Sequence, residues 1–373
     1  MDFDFSSDQK EIGSHARRFF EKTSPREVVR RALDGAGFDR TLWNLVAEIG
    51  FTGTAIPEAY GGSGLGYLEL CVIAEELGRS LAPVPFSSSI YLAAELLLKA
   101  GSEEQKQSYL PKLVSGASIG TMAIAERPGP LSPDQIGTSA IGDRITGEKI
   151  PVPDGMDSNF AIALVRERDD PPATSLYIIE LDQTGVTRKA ISTIDPTRAH
   201  AQLSFRNATG HRLGGRGEGW PLMESVFDRA AVLFAFEQIG GADRALEMAR
   251  DYALQRWAFG RPIGSFQALK HMMADMYVSA TLARSNAYYA AWALASDAPE
   301  LPKAAAAARI SATQAYQQCA RNNIQIHGGM GFTWEFDCHL YYRRANLLAL
   351  TLGSLSYWED RFIRASRSPQ VAA

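Results

Sequence analysis

The chain has 373 residues, 46% of them hydrophobic and 21% charged, with a formal net charge of −4. That size and balance fit a soluble globular protein with two or three packed regions, and the lack of any Lys/Arg block argues against nucleic acid as a partner. Cys71, Cys319 and Cys338 lie far apart and form no C-x-x-C pair, which argues against a metal site or a disulfide framework.

Cysteines of this kind fit a reducing compartment. The start, Met1-Asp2-Phe3-Asp4-Phe5, is acidic where a targeting peptide would be basic, and apolar runs such as 230–236 are too short to span a bilayer. The expectation is a cytoplasmic protein without a membrane span. From Ser7 to about Gly116 the pattern is helical. Ser7-Asp8 cap a run with helical spacing at Ile12, Ala16, Phe19 and Phe20. The stretch Pro57–Gly64, with three glycines in its last four residues, continues no helix. Further helices are predicted over 67–79, stopped by Pro83 and Pro85, then over 90–100 and 103–114. Between about 119 and 212, short β-prone runs at 122–125, 160–165 and 176–179 alternate with Gly, Pro, Asp and Asn clusters, which predicts an antiparallel all-β unit. Gly214–Gly219 reads as a linker. Bundle-length helices follow at 222–257, 266–296 and 303–327, with a frayed tail from Arg361 to Ala373. The expected domains are helical 1–118, β 119–213 and helical 214–373.

Several local motifs give this order a chemical reading. They are Pro57-Glu58-x-Tyr60-Gly61-Gly62 with Ala74-Glu75-Glu76-Leu77-Gly78, then Arg256-Trp257-Ala258-Phe259-Gly260-Arg261-Pro262-Ile263-Gly264-Ser265-Phe266-Gln267, and Gln325-Ile326-His327-Gly328-Gly329-Met330-Gly331-Phe332. Arg256 offers a planar fork for a phosphate, Gln267 and Gln325 can both donate and accept, and Gly328-Gly329 lets backbone approach a ligand closely. The plain alternatives are a solvated Arg256, a core Phe259 and a helix C-cap at Gly328-Gly329. Motifs and element order together resemble the acyl-CoA dehydrogenase family over nearly the whole chain. The resemblance implies an α+β fold with an N-terminal helical domain, a middle antiparallel β-barrel and a C-terminal four-helix bundle. It implies FAD as cofactor, clasped on its adenine-diphosphate half by Arg256, Phe259, Gln267, Gln325, Gly328 and Gly329, with Ser354 joining the set. An acyl-CoA thioester, a homo- or hetero-tetramer and an electron-transfer acceptor are the implied partners.

The departures from the family pattern are as informative. The family reaction removes an α-proton with a carboxylate while a hydride leaves the β-carbon for the flavin. By resemblance, that Glu precedes Gly-Ser near the C-terminus, and here Leu352 stands before Gly353-Ser354. The alternative family position, on the first long C-terminal helix, matches Ala230, and the Arg usual after it is Ala231. On the flavin-ring side, Ala125-Glu126-Arg127-Pro128 and Pro151-Val152-Pro153 replace T-E-P and W-x-T, and Gly129-Pro130-Leu131-Ser132 loses a Gly-Ser-Asp. Glu237 lies seven residues after Ala230 on the same helical face and is the remaining candidate base. It would be displaced by roughly 10 Å, and a buried Glu paired to a neighbouring helix accounts for it more simply. Asp228 and Glu126 are weaker candidates, and His327 and His339 read as structural or surface residues.

Two readings follow. In one, the chain is a stand-alone FAD-dependent dehydrogenase with a non-standard base. In the other, favoured by losses confined to the ring and substrate side, it is a subunit whose partner supplies the catalytic Glu. The segment 331–345 resembles a subgroup acting on bulky acyl-CoAs such as steroid side chains, where heteromeric assemblies occur. A non-catalytic scaffold and a flavin monooxygenase are the readings from other classes.

Overall fold

The computed structural model describes residues 4–129, 131–168 and 171–367, so Pro130 and Ser368–Ala373 lie outside the described residues. Six helices come first: α1 Ser7–Thr23, α2 Arg26–Arg31, α3 Arg40–Glu48, α4 Tyr67–Ser80, α5 Glu95–Ala100 and α6 Glu103–Val114. Eight strands follow: β1 Gly120–Ala123, β2 Ser139–Ile141, β3 Arg144–Pro153, β4 Phe160–Glu167, β5 Ala173–Glu180, β6 Val186–Ile191, β7 His200–Thr209 and β8 His211–Leu213. Helix α7, Gly219–Gln255, leads through a small hairpin, β9 Trp257–Ala258 and β10 Arg261–Pro262, into α8 Gln267–Ala295, α9 Leu301–His327, α10 Cys338–Leu348 and α11 Leu355–Arg367. Contacts divide the chain into two compact units. One comprises Met1–Val29, Tyr67–Ala82 and Ala231–Ala373, the other Arg30–Gly66 and Pro83–Ala230.

The first unit is helical. Its tightest feature is the crossing of α4 and α7, where a Cβ on Gly78 would lie 1.8 Å from the Glu237 carbonyl oxygen and one on Gly240 1.9 Å from that of Glu75. Only glycine permits backbones to meet this closely. Charges bracket the crossing. Arg284 of α8 donates to Glu75 at 2.8 and 3.0 Å and to Asp243 at 2.5 Å, Arg17 pairs with Glu76 at 2.7 Å, and Arg79 pairs with Glu247. Helices α8 and α9 run antiparallel, with the Cys319 thiol 3.6 Å from the Met276 carbonyl. The tail expected from Arg361 is instead helical to Arg367, because α11 buries Trp358.

The second unit is built on a sheet of order β6-β7-β3-β2-β4-β5-β8, with β1 also paired to β4. The central strand β4 is buried almost throughout, as a strand with neighbours on both edges must be. The expectation of a purely antiparallel unit needs correction. Strands β1 and β2 both run parallel to β4, sharing the same edge in succession: Gly120–Ala123 pair with Phe160–Ala163 and Ser139-Ala140 with Arg166-Glu167, so the chain advances along β4 instead of turning back in a hairpin. The end strands β6 and β8 share no ladder among the described residues, so the sheet is not seen as a closed barrel. Lys149 of β3 is fully buried. Its ammonium donates to Glu126 at 2.6 Å and to the Ile124 carbonyl at 3.0 Å, and burial pulls its pKa down to about 8. Glu126 also accepts the Gly137 and Thr138 N–H groups, so the pair pins the loop after β1. The helix predicted over 90–100 begins as a π-helical stretch, Ser87–Ala94, whose serines bond to the sheet and the turn after β3: Ser88 to Asp154 of that turn at 2.5 Å and Ser89 to Gly120 of β1. The expected linker at Gly214–Gly219 is shorter, since α7 starts at Gly219.

Candidate functional site

Most of the residues expected to hold a flavin lie where α7 and α9 end and α8 begins, on the helical unit. Helix α7 ends at Gln255, and Arg256 follows with its N–H still bonded to the Tyr252 carbonyl and its own carbonyl taken by the Ile263 N–H. The β9–β10 hairpin thereby folds back on α7 and puts Arg256, Phe259 and Gln267 on one short loop. Gln267 opens α8, whose antiparallel packing on α9 carries it level with the end of that helix. There lie Gln325, Gly328 and Gly329, and Tyr252 stacks on His327 at 4.1 Å between ring centroids. The side chains of Arg256, Gln267 and Gln325 are exposed and make no hydrogen bond or ion pair among the described residues. Phe259 is not core: it is 94% exposed, at φ 53°, edge-on to Phe266. Gly328 is a helix C-cap with φ 60°, its N–H donating to the Gln325 carbonyl, so that group is already engaged. A Cβ on Gly328 or Gly329 would meet nothing within 4 Å, which leaves open space before the turn. A fork, two amides and an open glycine turn fit the adenine-diphosphate half of FAD.

Ser354 and Leu352 are not part of this gathering. They lie on the corner between α10 and α11, which is tied to α9 at Arg309, sixteen residues before Gln325 and so about 24 Å along the helix. Arg309 is 1% exposed, and its place after Ala304–Ala308 carries no local sequence signal of that burial. Its guanidinium donates to Gln238 at 2.5 Å, to the Thr351 carbonyl at 2.8 Å and to the Leu348 carbonyl, and lies over the Phe234 ring. Burial pulls its pKa down to about 9, against the opposing field of Glu237. Leu352 holds φ 63° and Gly353 φ 111°. The Ser354 hydroxyl accepts from the Tyr357 N–H and contacts Ser356.

The candidate bases are dispersed. Ala230 and Ala231 are buried alanines of α7. Glu237 is buried, 3.6 Å from the equally buried Arg344 of α10. Asp228 is buried on α7, and Glu126 is saturated by Lys149 and two N–H groups. His339 lies edge-on to Trp334 at 4.7 Å, and His327 is buried in the stack described above. On the sheet unit, Pro151 and Pro153 have no N–H to offer a ring edge, and the Pro153 carbonyl accepts from Thr121 at 2.6 Å. These residues do not supply the donors that an isoalloxazine edge uses.

No helix of the described residues is long and apolar enough to cross a membrane. Comparison with known proteins gives a consistent result. Residues 6–117 match the acyl-CoA dehydrogenase N-terminal domain and residues 217–358 the acyl-CoA dehydrogenase C-terminal domain. The acyl-CoA dehydrogenase IpdE2 of Mycobacterium tuberculosis is 36% identical over 88% of this chain and 87% of its own length. The ChsE4-ChsE5 complex of the same species includes a chain with TM-score 0.89 and 27% identity, covering 99% of this chain and 100% of its own. A steroid acyl-CoA dehydrogenase, Tcur3481-Tcur3483, gives TM-score 0.86 and 28% identity over 96% and 97%. The chain belongs to the acyl-CoA dehydrogenase family of FAD-dependent oxidoreductases, on the side of the family that includes steroid acyl-CoA dehydrogenases.

Proposed function

We propose that this chain is the flavin-clasping subunit of an α,β-dehydrogenase of acyl-CoA thioesters, and that a partner subunit supplies the catalytic Glu and the ring pocket. One observation carries the reading. Three unengaged polar heads, Arg256, Gln267 and Gln325, gather at one end of the bundle, while both positions expected for the base hold Leu352 and Ala230. FAD, when bound, supplies the acceptor for the hydride leaving the substrate. For its part, Arg256 would take the diphosphate bidentately, Gln267 and Gln325 would meet the adenine-ribose edges, and Gly329 would let backbone approach without a Cβ. Leu352 accepts no proton, and among the described residues the remaining candidate, Glu237, is buried beside Arg344. The eight-stranded sheet and the long helices α7–α9 stand for the family's barrel and bundle. A bulky acyl group suits the likeness of 331–345 to the steroid subgroup, and the ChsE4-ChsE5 complex pairs two differently named chains.

The stand-alone alternative needs Glu237 as its base, and that carboxylate is buried against Arg344, where a structural ion pair suffices. A pure scaffold has no use for three exposed, unengaged polar heads around an open turn, and a monooxygenase needs the ring edge that Pro151 and Pro153 do not provide. The visible spectrum and flavin-to-protein ratio test the proposal. The chain purified alone is expected to be colourless or substoichiometric in flavin. Coexpression with the chain encoded beside it is expected to give one FAD per pair. A yellow homotetramer with one FAD per chain overturns it.

A further inference from the structure

We propose that His327 is a positioning residue for the cofactor turn, tying Gly328–Phe332 to the ends of α7 and α9 through a three-ring stack. The inference rests on the reading that this turn clasps FAD. The imidazole lies nearly parallel to Tyr252 of α7, at 4.1 Å and 21°, and Phe336, beyond the turn, packs edge-on to both rings at 5.6 and 5.7 Å. Nδ1 lies 2.9 Å from the Asn323 carbonyl one turn earlier on α9, so it carries the proton in the neutral ring. The turn itself packs under this residue: a Cβ on Gly331 would lie 2.5 Å from the Ile324 carbonyl oxygen and 3.1 Å from the His327 Cβ. One side chain therefore joins three segments that converge on Gly328-Gly329. A helix C-cap needs none of this. Its carbonyl is satisfied by the Gly328 N–H alone.

The arrangement favours the neutral ring. Burial lowers the His327 pKa from its ordinary value, opposed by the bond to the Asn323 carbonyl. The charged groups on the packed elements are Asp251 on α7, Arg256 just past its end, Arg321 on α9, and Glu335 and Asp337 beside Phe336, with Asp337 held by Arg26 at 2.9 Å. Because the folded value lies below the unfolded one, the stack's contribution is complete above about pH 6.5. It declines as pH falls from there through the lowered folded value.

Hydrogen exchange of the 328–336 amides in the full chain, corrected for the intrinsic effect of pH, reads this directly. In the wild type, exchange is expected to quicken several-fold between about pH 7.5 and about pH 5.5. His327→Phe keeps the stack and should be slow at both values; His327→Ala should be fast at both. Titration of ADP into the same proteins at neutral pH is the second arm, with a tenfold or greater loss expected for His327→Ala and near-native affinity for His327→Phe. Wild-type exchange and ADP affinity in His327→Ala overturn the inference. Should Arg256→Ala leave ADP affinity unchanged while the exchange pattern holds, the clasp reading fails and the stack stands.

Discussion

At position 352 a leucine occupies the left-handed region, a conformation that costs a side-chain-bearing residue about 1 kcal/mol or more. The corner holds it there from below, because Arg309 takes the Leu348 and Thr351 carbonyls. Its backbone shape is therefore independent of the side chain at 352, and Leu352→Glu is a clean substitution. The variant is expected to fold with stability within about 1 kcal/mol of the parent, since the site is only half-buried. It is also expected to remain inactive on acyl-CoA thioesters by itself, assayed with an artificial electron acceptor, because Pro151 and Pro153 still offer the ring no N–H. Turnover by Leu352→Glu alone would show that the base was the only loss. The missing carboxylates were legible in the sequence because an absence at a motif position needs no geometry to see. Arg309 was not legible, since nothing local distinguishes a buried arginine on a polyalanine face from a solvated one. For Phe259 it is the plain alternative, a core residue, that fails, because the fold leaves the ring in solvent.

Among the elements, the glycines separate packing from ligand contact. Gly78 and Gly240 lie where α4 and α7 touch, and an added Cβ would sit within 2 Å of a carbonyl oxygen on the facing helix. Gly78→Ala and Gly240→Ala must push the helices apart and strain the Glu75–Arg284–Asp243 cluster, so each is expected to cost about 3 kcal/mol or more in a urea titration. Gly329→Ala meets nothing within 4 Å and lies outside the left-handed region, so its stability should match the parent within about 0.5 kcal/mol. The same variant should weaken ADP binding, because the methyl group stands where the ligand backbone contact is proposed. Equal stability losses in all three would place Gly329 with the packing glycines. The sequence announced the long helices and α6 well: Ser102 and Gln105 form a reciprocal cap, and apolar spacing did the rest. It did not announce the parallel pairing of β1 and β2 with β4. Strand direction is set by the length and path of a connection, and a Gly/Pro-rich stretch does not encode whether the chain turns back or carries on along the same edge.

For the whole molecule, the helical unit leaves a large apolar surface bare. Trp257, Phe259, Phe332 and Trp334 are exposed in the segments that follow α7 and α9, and Val278, Leu282 and Tyr289 form one stripe along α8, with Leu282 61% exposed. Soluble monomers seldom expose this much apolar surface on one side, and partner surfaces are where such patches occur. The ChsE4-ChsE5 neighbour is a complex, and here the stripe lies on α8, the helix that Gln267 opens, so on the proposed function assembly and flavin retention should depend on each other. Val278→Lys with Leu282→Lys tests this, because both side chains point to solvent and the substitutions leave the core of α8 untouched. The doubly substituted chain is expected to keep its circular dichroism spectrum and melting temperature within a few degrees. It should elute at a lower mass by light scattering and, coexpressed with its partner, hold well under one FAD per pair. An unchanged mass with full flavin would mean that the α8 stripe is not where the partner sits, and that the clasp is completed from another side.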